Sequence, residues 1–177
     1  MTNKIAKALR EFKEGVVLGF KNEFSKKTGH GIDIVLDHDA VRNAGFLFAM
    51  CARYVDNTYA IIVDDEFNLA TKEVREFIIW HELGHISNDN SGVRTLDCEH
   101  KADLYAQSKV GNVNAVAALN YMWVRLSTIN INACADIPSR LKELGANVDT
   151  MYIRLANGKT LYEPQLRLLL EGNINGL

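Results

Sequence analysis

Thr71-Lys72-Glu73-Val74-Arg75-Glu76-Phe77-Ile78-Ile79-Trp80-His81-Glu82-Leu83-Gly84-His85 is the stretch on which the reading of this chain turns. Phe77, His81 and His85 recur at steps of four, with Val74 and Ile78 forming a neighbouring apolar row, the spacing of a helix with about 3.6 residues per turn. Thr71 is the expected N-cap, and Glu73 lies in the first turn, where the helix dipole favours an acid. His81 and His85 therefore stack on one face, where two imidazoles can grip a single metal ion. Glu82 sits one residue round, close enough to reach a water on that ion without ligating it, which is the position of a general base. Gly84 costs ~1 kcal/mol relative to Ala in a helix interior. That cost predicts a close approach at Gly84 by another backbone or by a substrate.

A catalytic zinc ion takes three protein ligands and leaves a fourth position for water. The third is sought in Glu99-His100-Lys101-Ala102-Asp103. Asp97 is expected to cap a helix over about 98–110 that Gly111 ends. On it Glu99 and Asp103 lie one turn apart, and Ala102 is small enough to allow close helix contact. Glu99 is assigned as the third ligand. Asp103 becomes the carboxylate that accepts the free ring N–H of a ligand histidine, fixing its tautomer. The two acids could exchange these roles, and His100 could ligate instead. Cys98 stands beside the pair, but no C-x-x-C spacing supports a thiolate site.

Composition sets the frame around this motif. At 177 residues the chain fits one domain, with 1–92 holding an N-terminal helix, a sheet and the motif helix and 93–177 a helical part. Its 47% apolar and 24% charged residues are those of a globular protein, and a net charge of −2 gives no general attraction for nucleic acid or an anionic membrane. No basic run alternates with aromatics, so a nucleic-acid binder finds no support. No apolar run approaches the ~20 residues of a membrane span. Three widely spaced cysteines, Cys51, Cys98 and Cys134, argue against a disulfide framework. Together with a charge-interrupted start that lacks a secretion signal, they predict a cytoplasmic protein.

Upstream, Ile5, Leu9, Phe12, Val16, Phe20 and Phe24 predict an amphipathic helix over 3–27. Ile32–Leu36 reads as a strand. The runs Gly45–Val55 and Tyr59–Val63, around Asp56-Asn57-Thr58, read as a hairpin. Asp64-Asp65-Glu66 reads as an exposed acidic loop. Downstream, helices are expected over 113–129, over 137–144 with Gly145 as its stop, and from Pro164 through Leu170. The fold class that results is α+β: a small antiparallel sheet packed on the motif helix, then a helical C-terminal half.

His81-Glu82-Leu83-Gly84-His85 with Glu99-x-x-Ala102-Asp103 resembles the gluzincin zinc peptidases. It is similar in particular to the soluble ImmA/IrrE-like proteins of bacteria and phages and to the membrane-anchored HtpX/Ste24-type peptidases, over roughly residues 59–110. Lacking membrane spans, the chain fits the soluble branch better, although no helix-turn-helix region is evident. The resemblance implies a zincin-like metallopeptidase fold, Zn2+ on His81, His85 and Glu99, and Glu82 as general base. The implied reaction is hydrolysis of peptide bonds in a protein or peptide substrate, which a strand edge at 59–63 could hold extended. Tyr105, Arg94, His100 and Tyr121 are chemically able to stabilise the oxyanion. The competing expectation is a regulatory or binding protein with a structural or vestigial zinc site, meeting its partner through Trp123, Tyr121 and the C-terminal half. Glu82 speaks against it, because a purely structural site has no use for a base.

Overall fold

The computed structural model of this chain describes residues 32–45, 48–56, 58–90, 95–129, 136–146 and 148, with the strands at 152–154 and 160–162. The helices expected over 3–27 and from Pro164 through Leu170 lie outside the described residues. In chain order the elements are β1 (Ile32–Leu36), α1 (His38–Asn43), β2 (Ala49–Arg53), β3 (Tyr59–Val63), α2 (Asp65–Leu69), α3 (Lys72–Ser87), α4 (Leu96–Val110), α5 (Asn112–Ile129), α6 (Ile137–Glu143), β4 (Tyr152–Arg154) and β5 (Thr160–Tyr162). The class is α+β, mostly helical, as expected.

The sheet is mixed rather than antiparallel, which corrects the expectation. Its order is β1-β3-β2. β3 runs antiparallel to β2, with Ala49 opposite Val63 and Arg53 opposite Tyr59. It runs parallel to β1, with Ile32 opposite Tyr59 and Leu36 opposite Val63. The cause lies in α1. Asp37 caps it by accepting from Ala40 N, while Asp37 N donates to Val63 O at 3.0 Å. The chain is thereby carried past the position next to β1 before β2 forms, and β3 returns into the gap. As the central strand, β3 has both edges paired, so the substrate edge expected at 59–63 does not exist.

The β2–β3 hairpin itself follows the reading. Tyr54 N donates to Thr58 O at 2.8 Å, and Asp56 Oδ1 accepts from Thr58 N at 3.0 Å and from Thr58 Oγ1 at 2.7 Å. The acidic turn that follows does not. Asp64 is fully buried and its Oδ1 accepts from Phe67 N at 3.1 Å, so it caps α2 instead of standing in a solvated loop. Glu66 then ties α2 to α5, accepting from Arg125 Nε at 3.1 Å and Nη2 at 2.7 Å.

One apolar cluster runs from the sheet through the helices, taking Ile61 and Val63 from β3, Phe77 and Leu83 from α3, Ala106 from α4, Leu119 and Trp123 from α5 and Leu141 from α6. Trp123 is 1% exposed and belongs to this interior. Tyr121 is half-buried with its ring 6.4 Å from that of Phe48. Trp123 is therefore too deeply buried to supply the partner surface expected of it. The C-terminal half also holds a short antiparallel pair, β4 with β5, that periodicity did not indicate. Among the described residues no helix is long and apolar enough to cross a membrane.

Candidate metal centre

α3 begins where expected, with the Thr71 side chain accepting from Val74 N. From Phe77 through Ile86 nearly every residue is buried, because β2, β3, α4 and α5 all pack against the helix. α4 starts earlier than expected. Thr95, not Asp97, caps it by accepting from Cys98 N at 3.3 Å, and Asp97 pairs with Lys101 at 2.6 Å instead. A hydroxyl and a carboxylate two residues apart both suit a cap, and the hydroxyl took it.

Gly84 answers its own question. A Cβ there would lie 2.9 Å from Ala102 Cα, 3.1 Å from Ala102 O and 3.2 Å from Tyr105 Cβ. The close approach is backbone against backbone, α4 on α3, at the level of the histidines. It brings Glu99 over them. Glu99 Oε2 lies 3.3 Å from His81 Nε2, and Glu99 Oε1 3.5 Å from His85 Nε2. The two Nε2 atoms are 3.1 Å apart, and one donor atom from each of the three residues lies within 4.8 Å of the others.

The far side of each ring fixes its tautomer. His81 Nδ1 lies 2.8 Å from Asp103 Oδ1, and His85 Nδ1 lies 3.0 Å from Asn90 Oδ1. Both oxygens can only accept, so both Nδ1 atoms carry the hydrogen. With no proton on Nε2, each ring presents a lone pair there, aimed where the Glu99 carboxylate also points. Three lone pairs in one place repel unless a positive charge joins them. A proton bridges one pair at a time; a divalent cation meets all three. Two imidazoles and one carboxylate form a donor set that zinc accepts, so the residues present fit the metal.

Asp103 therefore stands where the sequence reading put it, behind His81. Asn90 and Arg140 are the participants that reading missed. Arg140, from α6, grips Asp103 with both arms, Nε to Oδ2 at 2.7 Å and Nη2 to Oδ1 at 2.8 Å. Its Nη1 lies 3.1 Å from Glu99 Oε2. The signal that could have found Arg140 is charge balance: two acids on the packed face of α4 call for a buried cation. For Asn90 the signal is an amide just past the end of the histidine helix.

The electrostatics follow from these contacts. Burial opposes charge on His81, but the Asp103 carboxylate and the hydrogen bond to Glu99 outweigh it and push His81 up to about 10. Burial likewise opposes charge on Asp103, yet Arg140 and His81 hold it down to about 2. Glu99 is held well below the usual carboxylate range, its burial overcome by hydrogen bonds from both histidines and by the charges of His81 and Arg140. The centre is built to receive positive charge.

Glu82 is 8% exposed and has no hydrogen-bond or ionic partner among the described residues. His100 does not join the ligands; its Nε2 lies 3.4 Å from Ser139 Oγ. Tyr105 leans on Trp80 with ring centres 6.4 Å apart, and Arg94 lies outside the described residues. Neither Cys98 nor Cys51 is in a disulfide among the described residues. No protein-family model, no curated protein and no solved structure matches this chain.

Proposed function

We propose that this chain is a zinc-dependent peptidase that hydrolyses peptide bonds in an intracellular protein or peptide. The observation that carries the reading is the convergence of His81 Nε2, His85 Nε2 and a Glu99 oxygen on one point, with a carboxylate free of described partners, Glu82, between the two histidines in sequence. His81, His85 and Glu99 would hold the metal. Zinc bound there supplies Lewis acidity, which polarises a carbonyl and brings the pKa of a bound water towards ~7. Asp103 and Asn90 hold the two rings with Nδ1–H turned away, so that both Nε2 lone pairs stay available. Glu82 takes the proton of the attacking water and delivers it to the leaving amine, two tasks that need a carboxylate not committed to an ion pair.

The test uses the full chain, zinc and a quenched-fluorescent peptide library. Cleavage should vanish with a chelator and return with zinc. Glu82→Gln should keep zinc and lose about 10²–10⁴-fold in kcat, the usual worth of a general base. Wild-type turnover by that variant would remove Glu82 from its role, and zinc-loaded protein that leaves the whole library uncut would count against hydrolysis.

A further inference from the structure

Arg140 is 6% exposed, and each of its three nitrogens faces a carboxylate. Nε and Nη2 are taken by Asp103, and Nη1 faces Glu99 Oε2 at 3.1 Å and Asp136 Oδ2 at 3.8 Å. Three of its five N–H groups are thereby committed to carboxylates. The side chain is also fixed. Ile137 and Leu141, either side of it on α6, are both fully buried, and the two-armed grip on Asp103 sets the plane of the guanidinium.

A carboxylate can meet a metal through one oxygen or both. Here Oε2 of Glu99 faces Arg140 Nη1 at 3.1 Å as well as His81 Nε2 at 3.3 Å, whereas Oε1 faces His85 Nε2 at 3.5 Å. We propose that Arg140 is a positioning residue: by occupying one oxygen of Glu99, it makes Glu99 meet a metal ion on His81 and His85 through the other oxygen alone. The consequence is a coordination position kept open for water and substrate, which a two-oxygen carboxylate would fill. This rests on the metal-centre reading above.

Charge neutralisation is the competing role, and the two part company under substitution. Lys keeps the charge of Arg but lacks the planar fork, whereas Gln lacks the charge. If only charge mattered, Arg140→Lys would behave as wild type. Arg140→Gln would bind a cation more tightly, because the site would be more negative. If position matters, both variants release Glu99.

Cobalt(II) is the probe, because its visible absorption is intense in four-coordinate sites and weak when a fifth ligand enters. At saturating cobalt the full-length wild-type protein should give the intense spectrum. Arg140→Lys and Arg140→Gln should give the weaker one and lose about 10–100-fold in cobalt affinity, the range expected when a residue that orients a ligand is removed. Variants with the wild-type spectrum and affinity, or a tighter-binding Arg140→Gln, overturn the proposal. Should the variants not fold, a cobalt-bound crystal structure of the unaltered protein decides. One Glu99 oxygen on the metal and the other on Arg140 supports it, and both oxygens on the metal overturn it. Wild-type protein that takes up no cobalt at all is a different result, which removes the metal centre itself.

Discussion

Replacing Gly84 by Ala tests the geometry on which the centre depends. By helix propensity alone the change is favourable, by ~1 kcal/mol. The contacts oppose it. The new Cβ would start 2.9 Å from Ala102 Cα, whereas ordinary contact begins at 3.4 Å, so α3 and α4 must part by about half an ångström. Two of the three obstructing atoms are backbone, so no side chain can rotate out of the way. Overpacking of this kind costs about 1–3 kcal/mol. The metal-free variant should therefore lose between about zero and 2 kcal/mol, measured by urea denaturation in the presence of a chelator. Zinc should report a larger effect. His81 and His85 ride on α3 and Glu99 on α4, and half an ångström exceeds the ~0.2 Å that a metal site tolerates. Competition with a chromophoric chelator should show zinc affinity down by at least about tenfold. Trimming Ala102 to Gly in the same protein should not rescue it, because the clash is with atoms that glycine retains. An alanine variant that gains the full propensity term and binds zinc as wild type does would refute the packing argument outright.

Three further outcomes can be measured. Protons compete with zinc for the lone pair of His81, which is pushed up to about 10, so zinc affinity should climb about tenfold per pH unit for each proton expelled from pH 6 to 8; a flat profile would contradict the raised value. The sign reverses for the chelated protein: a histidine raised above its ordinary 6.5 stabilises fully below that pH and loses its contribution as pH rises through about 10. Chemical denaturation across that window should show the loss, which zinc should abolish. Thr95→Ala should cost about 1 kcal/mol through the lost cap of α4, and an unchanged unfolding midpoint would show that Asp97 takes over the cap.

The motif helix was legible because its periodicity, its cap and its costly glycine all point the same way. Glu99 and Asp103 were legible as a pair for the same local reason, one turn apart beside a small residue. What lay beyond reach was decided by residues distant in sequence. The parallel pairing of β1 with β3 depends on where α1 delivers the chain, which no window of residues encodes. Asp64 looked like a solvated acid because two more acids follow it, yet only the first turns inward to cap α2. Arg140 sits in a short helix with Ser139 and Lys142 for neighbours, and nothing local tells a buried arginine from an exposed one. Only the sum of charges on the facing helix would have asked for it.

The guanidinium that steadies two carboxylates on α4 comes from α6, some forty residues further on. A chain growing from its N-terminus on the ribosome thus exposes the histidine pair and both acids well before their counterion exists. Until residue 140 emerges, Glu99 and Asp103 stand as neighbouring negative charges one turn apart, and Glu99 lacks the guanidinium that faces its Oε2. A nascent chain stalled short of α6 should therefore capture metal poorly despite carrying every ligand.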